Sequence, residues 1–255
     1  MLNCLQNAGS SIRFFFIVWY IGFMNELGSK IIEFPREERN CGHSLMEGSV
    51  LDMKKALRKR AKAELKSYFA DKELGRECAR SVTNFFVSCA QYKDASVILA
   101  FMAMEDEIDL SAIIRAALKD GKKVAVPKMV AGTSQMDFYY IDSIDNMETS
   151  FEKDPVYGIW EPSPLCQMVR PETLPQNTVM LIPGLAFNLK GARLGRGKGY
   201  YDRYLQRVLS GPDGKSIVLC GVCPVNVITR MIPVEKNDVP MTHLLNEYGF
   251  TAVSR

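Results

Sequence analysis

The chain has 255 residues, 47% of them hydrophobic and 24% charged, an ordinary balance for a globular protein with one large core. Its formal net charge of +3 argues against nucleic-acid binding driven by overall charge, so any such function would depend on local clusters. With two histidines and seven irregularly spaced cysteines, the composition argues against a histidine-based triad, a multi-histidine metal site and a disulfide framework, and it favours a reducing, cytoplasmic compartment.

Residues 1–51 differ in composition from the rest of the chain. Their apolar run, Phe14–Phe23, is too short for a transmembrane helix, which needs roughly 17 to 25 residues. No small-residue cleavage site of a secretory signal follows it. We interpret residues 1–51 as an extension that is dispensable or disordered, and residues 52–255 as a single domain. A membrane-associating segment is the alternative.

A basic helix is predicted at the start of this domain. Asp52 can cap it, and apolar residues recur at helical spacing along one side, namely Leu57, Ala61, Leu65, Tyr68 and Phe69. The other sides carry Lys54, Lys55, Arg58, Lys59, Arg60 and Lys62. This density of cations suits contacts with phosphate, and a solvated basic face is the alternative.

Helices and buried strands then alternate along the chain. The pattern predicts a helix over 72–91, a strand over 97–103, a helix over 110–119 closed by Gly121, a strand over 123–127 and an edge strand over 136–141. The 72–91 helix should direct inward Leu74, Cys78, Val82, Phe85, Phe86 and Cys89. We predict an α/β fold, a three-layer Rossmann-like open sheet that is mostly parallel, with helices on both faces.

Two loops are candidates for ligand contacts. The first, Phe101–Asp109, places several carboxylates after a strand, where open α/β sheets bind ligands, although acidic residues also serve as helix N-terminal charges. The second is rich in proline and lies between residues 151 and 175. Its Tyr157 and Trp160 could stack on a flat heterocycle or cover the edge of the core.

A glycine-rich loop is the most informative stretch of the sequence. A predicted buried strand, Val179–Phe187, precedes Gly195-Arg-Gly-Lys-Gly199, and a helical pattern with Tyr204 and Leu205 on its apolar side follows. Glycines let a backbone approach a ligand closely, and a helix N-terminus carries partial positive charge, so phosphate is the natural ligand. A flexible, solvated basic turn is the alternative.

Two common nucleotide-binding motifs do not fit this loop. A Walker A motif would need Gly at the position of Ala192 and Ser or Thr at Gly199, and a dinucleotide fingerprint starting at Gly195 would need Gly at Tyr200. Asp202, four residues after Lys198, could hold the magnesium ion that accompanies a nucleoside triphosphate.

The C-terminal part contains another predicted core strand, a polar loop and a terminal strand. The core strand, 216–223, includes Cys220 and Cys223, which we interpret as buried cysteines rather than half of a zinc site. In the polar loop, 231–240, Asp238 could lie close to Asp202. The terminal strand is predicted over 242–253.

The run Arg193–Asp202, preceded by Pro183–Phe187, resembles the hallmark of the 5-formyltetrahydrofolate cyclo-ligase family, also called methenyltetrahydrofolate synthetases. The resemblance extends from Met53 to the C-terminus. It includes, in the order of the family, Lys54–Arg58, Met102–Glu107, Tyr157–Pro162 and Pro233–Asp238. Residues 1–51 have no counterpart in it.

The resemblance implies an enzyme that uses ATP and Mg²⁺ to convert 5-formyltetrahydrofolate to 5,10-methenyltetrahydrofolate. It implies that the formyl oxygen attacks the γ-phosphate and that N10 then displaces the phosphate by cyclisation. The expected partners are the two small-molecule substrates, with no nucleic acid and no membrane, and the expected state is a monomer.

The resemblance also implies overlapping sets of site residues. Those for ATP are Lys54, Lys55, Arg58, Arg193, Leu194, Gly195, Arg196, Gly197, Lys198, Gly199, Tyr200 and Tyr201. Those for the folate are Met102, Glu107, Tyr157, Gly197, Lys198 and Tyr200, with Glu107 meeting the donors of the pterin. The catalytic residues are Lys198, Arg196 and Tyr200, and the magnesium ligands are Asp202 and Asp238.

Two other functions are compatible with the sequence. One is a catalytically silent relative that binds a nucleotide or RNA, which would be expected to have lost the magnesium carboxylates that are present here. The other is a different ATP-dependent enzyme acting on another amide, which would bind ATP but not a folate.

Overall fold

The computed structural model describes residues 49–145, 151–153, 160–163 and 165–254. The helices are α1 (Val50–Ala70), α2 (Lys72–Ser88), α3 (Ala90–Asp94), α4 (Ser111–Lys119) and α5 (Tyr200–Ser210). The strands are β1 (Val97–Leu99), β2 (Lys123–Met129), β3 (Met136–Ile141), β4 (Phe151–Lys153), β5 (Trp160–Pro162), β6 (Thr178–Pro183), β7 (Ala186–Phe187), β8 (Arg193–Leu194), β9 (Val218–Val222), β10 (His243–Asn246) and β11 (Gly249–Ala252).

A seven-stranded sheet forms the centre of the fold, in the order β11-β10-β9-β6-β1-β2-β3. The five inner strands are parallel to one another, and the edge strands β3 and β11 are antiparallel to the strands beside them. The inner strands read as continuous apolar runs because both faces of the sheet are covered. Both the mostly parallel sheet and the edge position of β3 were predicted correctly.

The direction of the chain reverses in the middle of the sheet. From β1 the chain passes through α4 to β2 on one side, and from β6 it passes through α5 to β9 on the other side. Connections between parallel strands are right-handed, so these opposite steps place α4 and α5 on opposite faces of the sheet. The carboxyl ends of β1 and β6 therefore form the switch point at which open α/β sheets bind ligands.

The start of the domain differs from the prediction in two respects. Helix α1 begins at Val50, and its cap is Ser49, whose hydroxyl accepts the backbone N–H of Asp52. Asp52 lies instead in the first turn, where its charge favours the helix N-terminus. The buried stripe of α1 contains the predicted Leu57, Ala61, Leu65 and Phe69, and it also contains the cation Lys54.

The predicted 72–91 helix is interrupted. Helix α2 ends at Ser88, and the backbone of Cys89 is extended. The Cys89 thiol accepts the Tyr92 N–H at the start of α3. Cys78, Val82 and Phe86 are buried as predicted. Leu74 and Phe85 were wrongly predicted to face inward, since they are 39% and 37% exposed.

The other predicted strands are present: β3 has the predicted bounds, β2 is two residues longer than predicted, and the remaining ones are shorter or divided. The ladder of β1 ends at Leu99, and the terminal strand is divided into the hairpin β10–β11. Cys220 and Cys223 are buried free thiols, and burial raises the pKa of each. In the described ranges no helix is both long and apolar enough to cross a membrane. The predicted extension lies, up to residue 48, outside these ranges.

A turn between β7 and β8 allows a test of the packing. Gly191 has a φ of 87°, and a Cβ there would collide with the carbonyl oxygen of Met241. Gly132 has a φ of 71° with nothing within 4 Å of a Cβ, so Gly132→Ala isolates the cost of the backbone conformation. We expect Gly191→Ala to lower the free energy of unfolding by about 3 kcal/mol and Gly132→Ala by about 1 kcal/mol, measured by urea denaturation. Equal losses would contradict the collision at Gly191.

Candidate functional site

A cleft of about 490 Å³ opens at the switch point of the sheet. Phe101 and Met102 reach it from the end of β1, and Pro183 and Gly184 reach it from the end of β6. Its walls also include one side of α1, the loop before α5, the 235–238 loop, and residues of β2, β3 and β5. Segments far apart in the sequence therefore meet where the topology predicts a ligand site.

The glycine loop forms one wall of this cleft. The β7–β8 hairpin leads into it, and α5 starts at Tyr200 directly after it, so the predicted unit of strand, loop and helix is confirmed. Gly197 and Gly199 have φ values of 103° and 71°, a region that side-chain-bearing residues rarely adopt. The loop thus brings the N-terminus of an eleven-residue helix to the cleft, a position that favours an anion.

Cations from α1 line the same end. Lys54, Arg58 and Lys62 are each separated by four residues, so they share one side of the helix, and all three reach the cleft. Arg58 Nε donates to the carbonyl oxygen of Gly195 at 3.0 Å, which ties α1 to the glycine loop. Lys55, by contrast, is exposed and is not part of the cleft lining.

The two carboxylates implied as magnesium ligands both line the cleft, and each is paired with a cation. Asp202 Oδ2 accepts Arg193 Nη2 at 2.9 Å, and Asp238 Oδ2 accepts Lys54 Nζ at 2.5 Å. Burial lowers the pKa of Lys54, but hydrogen bonds and charge from Asp238 and Glu235 outweigh this and raise the pKa overall. In the described part of the chain, no group of three or more His, Cys, Asp or Glu side chains could hold a metal ion by itself.

Arg196 links the glycine loop to the acidic loop after β1. Its guanidinium donates to Glu107 Oε1 at 3.0 Å from Nη2 and also to Asp106. Glu107 Oε2 accepts the Met104 N–H at 3.0 Å. Burial raises the pKa of Glu107, and the opposing charge of Arg196 lowers it only in part. The acidic loop therefore lines the cleft, and Asp109 at its end accepts the Ser111 N–H at the start of α4. Its contact with a ligand stays a prediction.

The lining also has an apolar part, which we call the apolar end of the cleft. Its lining includes Phe101, Met102, Met104, Pro127, Met129 and Met136. Glu161, on β5, is a buried carboxylate in the same wall, with 5% of its surface exposed. Burial raises the pKa of Tyr201, and the negative charge of Glu107 raises this pKa further. The Tyr201 hydroxyl, which lines the cleft, therefore stays protonated.

Sequence reasoning located the charged end of the cleft and missed most of the apolar end. Of the residues implied for the folate, Met102 and Glu107 lie in the cleft and Tyr157 lies outside the described residues. Met129, Met136 and Glu161 were not predicted. The one local signal for Glu161 was a carboxylate between Trp160 and Pro162 in a short apolar segment.

Comparisons with known proteins point to one family. The model of the 5-formyltetrahydrofolate cyclo-ligase family matches residues 50–247. The chain is 30% identical over 206 residues to the mouse 5-formyltetrahydrofolate cyclo-ligase, covering 78% of this chain and 96% of the relative. It is 28% identical over 169 residues to the enzyme of that name from Haemophilus influenzae, covering 66% and 85%.

Solved structures show the same fold. The NMR structure of Aquifex aeolicus 5,10-methenyltetrahydrofolate synthetase superimposes with a TM-score of 0.62 at 26% identity, over 80% of this chain and 94% of that one. The synthetase from Mycoplasma pneumoniae gives a TM-score of 0.57 at 18% identity, over 76% and 98%, and this similarity concerns the fold.

Proposed function

The chain belongs to the 5-formyltetrahydrofolate cyclo-ligase family, and we propose that it converts 5-formyltetrahydrofolate and ATP to 5,10-methenyltetrahydrofolate, ADP and phosphate. One structural observation carries this proposal: a single cleft at the switch point joins a cationic glycine loop to an apolar chamber. The first end suits a triphosphate, and the second suits a flat heterocycle.

ATP occupies the charged end in this proposal. Lys54 and Arg58 approach from α1, and the residues from Arg193 to Tyr201 surround the phosphates from the other side. Lys55 is left out of this set because it is exposed and lies outside the lining. Phosphoryl transfer asks a protein mainly for positioning and for positive charge at the transferred group, and this end of the cleft offers both.

The folate occupies the other end. Met102 and Glu107 line the same cleft as Gly197, Lys198 and Tyr200, and Glu107 accepts a hydrogen bond from Arg196 of the glycine loop. We place the junction of the two substrates there, where the formyl group would face the γ-phosphate. The formyl oxygen attacks phosphorus and ADP leaves. N10 then attacks the formyl carbon, loses its proton, and expels phosphate together with the former formyl oxygen.

Lys198, Arg196 and Tyr200 are the proposed catalytic residues at this junction. Lys198 and Arg196 balance the charge of the transferred phosphoryl group, and Tyr200 lies at the start of α5 beside them. Arg196 is already fixed by Glu107 and Asp106, so little reorientation is needed when the substrates bind.

The residues present are compatible with Mg²⁺. This ion uses one or two carboxylates together with water and phosphate oxygens, so a complete protein cage is not required. Asp202 and Asp238 would hold it, since both line the cleft and both contact their cationic partners through Oδ2. The ion would supply positive charge beside the phosphates of ATP.

We propose that one domain carries this activity. It comprises the predicted residues 52–255 together with Val50 and Leu51, the first two residues of α1. Its partners would be the two small substrates, and it would act as a cytoplasmic monomer. A relative from Arabidopsis thaliana, 25% identical over 81% of this chain, is named a mitochondrial enzyme, so a mitochondrial compartment is the alternative.

The proposed reaction can be followed directly. Purified protein is mixed with 5-formyltetrahydrofolate and magnesium, and absorbance in the methenyltetrahydrofolate band is recorded before and after ATP is added. We expect a rise that needs ATP, stops when magnesium is chelated, and is matched by release of ADP. A flat trace from folded protein that still binds ATP would overturn the proposal and favour the silent relative or another amide substrate.

A further inference from the structure

Arg203 is an exposed arginine near the start of α5 that does not line the cleft. Its guanidinium nevertheless makes two short contacts with backbone carbonyl groups. Nη2 donates to the carbonyl oxygen of Lys198 at 2.6 Å, and Nε donates to the carbonyl oxygen of Ser134 at 2.7 Å. One side chain therefore bridges the glycine loop and the turn between β2 and β3.

The glycine at position 199 makes room for this bridge. Gly199 directly precedes α5 and has a φ of 71°. A Cβ at Gly199 would lie 2.7 Å from Arg203 Nη1, so a side chain there would have to displace the guanidinium. The guanidinium also lies over the Tyr200 ring, 5.8 Å from its centroid. Arg203 is thus held against three consecutive residues of the loop, Lys198–Tyr200.

The turn at the other side of the bridge is closed by a backbone hydrogen bond. The Val130 N–H donates to the carbonyl oxygen of Gln135 at 3.0 Å. The residues that flank the turn, Met129 and Met136, pair across β2 and β3, and both line the cleft. The bridge therefore ties the glycine loop to a hairpin whose base belongs to the same cleft.

The bridge acts on the part of the loop that has the freest backbone. The start of the loop is already tied to α1, because the carbonyl oxygen of Gly195 accepts Arg58 Nε. Lys198 has a glycine on either side, and glycine loses more conformational freedom than any other residue when it is ordered. The hydrogen bond from Arg203 fixes the Lys198 carbonyl, and with it the direction in which the Lys198 side chain leaves the loop.

We propose that Arg203 is a positioning residue for the reaction. By bridging the carbonyl oxygens of Lys198 and Ser134, it fixes the backbone from which Lys198 reaches the transferred phosphoryl group. This inference rests on the proposed function, because it takes Lys198 as the cation that acts on that group. The physical basis is preorganisation: a charge that is already oriented needs no reordering when the transition state forms.

The test compares two variants of Arg203 with a matched change one turn further along α5. Arg203→Met keeps a long unbranched side chain and removes every donor, whereas Arg203→Lys restores a donor without the planar fork. Arg207→Met is the control, because Arg207 lies on the same helix, contacts Asp137 and Glu172 rather than the glycine loop, and does not line the cleft.

We expect Arg203→Met to lower kcat about 10- to 50-fold and to leave both KM values within about threefold, because the cleft is intact but Lys198 is less well oriented. Arg203→Lys should recover much of the lost kcat. Arg207→Met should keep kcat within about twofold of wild type although it removes two ion pairs. A general loss of stability would not produce this pattern, and thermal unfolding shows whether each variant is folded.

Trypsin cleavage after Lys198, identified by mass spectrometry, measures the mobility of the loop without any substrate. At a temperature well below unfolding, it should be several times faster in Arg203→Met than in wild type and unchanged in Arg207→Met. The inference would be overturned by cleavage of Arg203→Met at the wild-type rate, by a kcat within about twofold of wild type, or by equal kcat values in its lysine and methionine variants. Failure of the proposed function would look different, because wild-type protein would give no ATP-dependent product while the difference in cleavage persisted.

Discussion

Replacing Lys198 with alanine is expected to lower kcat about 10²- to 10³-fold while the protein remains folded. Lys198 lies between Gly197 and Gly199 in the wall of the cleft, and its side chain is exposed. Removing a positive group that stabilises a developing negative charge typically costs this much. Because the charge matters mainly in the transition state, kcat should fall more than KM rises.

The change is not expected to disturb the loop itself. The structural contact at this position is made by the backbone, where the Lys198 carbonyl oxygen accepts Arg203 Nη2 at 2.6 Å, and alanine retains it. Single-turnover formation of methenyltetrahydrofolate would measure the effect. Lys215→Ala removes an exposed lysine outside the cleft lining and is the control. A Lys198→Ala variant within about threefold of wild type would remove Lys198 from the mechanism.

The arrangement of the cations explains why this loss should be large even though other cations lie nearby. Arg193 and Lys54 are paired with Asp202 and Asp238, and Arg196 is paired with Glu107 and Asp106. These side chains are already oriented, and part of their charge is balanced. Because carboxylate partners hold these cations in place and balance part of their charge, the paired cations do not replace the charge of Lys198.

Features that depend on neighbouring residues could be predicted from the sequence. The alternation of apolar runs and helical patterns gave the mostly parallel sheet, and the spacing of glycines and cations gave the loop before α5. The same rules failed at Cys89, because the interruption of the helix there depends on an extended backbone and on a thiol that accepts the Tyr92 N–H. Composition alone gives no sign of that geometry.

Features that depend on contacts between distant segments could not be predicted without the fold. Glu161 meets Met129 from a separate two-stranded ribbon, and Lys54 meets Asp238 from the other end of the domain. Helical periodicity marked Lys54 as one cation of a basic face, and only the position of the 231–240 loop explains why it is buried. Resemblance to a family supplied Asp238 as a site residue, but not the partner that it has here.

Replacing Lys54 with alanine is expected to reduce both stability and ATP use. Lys54 is 3% exposed and donates to Asp238 and to Glu235 at 2.5 and 2.7 Å. Removing one partner of a buried ion pair leaves the other charge uncompensated, and this costs about 3 to 5 kcal/mol when all partners are buried. Glu235 is half-exposed, so we expect a loss of about 2 to 3 kcal/mol in the free energy of unfolding.

The pH dependence gives this prediction a second readout. The pKa of Lys54 in the folded protein is raised above its ordinary value of 10.5, so the ion pair contributes fully below that pH and is lost as pH rises through the raised value. Urea denaturation of wild type and Lys54→Ala should therefore show a constant difference from pH 7 to about 10, and a smaller difference above it.

The comparison with Lys59→Ala separates this ion pair from general charge on α1. Lys59 is exposed on the same helix and does not line the cleft, so its removal should change the free energy of unfolding by less than about 0.5 kcal/mol. For Lys54→Ala, KM for ATP should rise at least about tenfold, because both the proposed phosphate contact and the fixed position of Asp238 are lost. Equal stability of the two variants would show that the buried contacts of Lys54 do not hold α1 against the 231–240 loop, and that this corner of the proposed ATP site is assembled by other contacts.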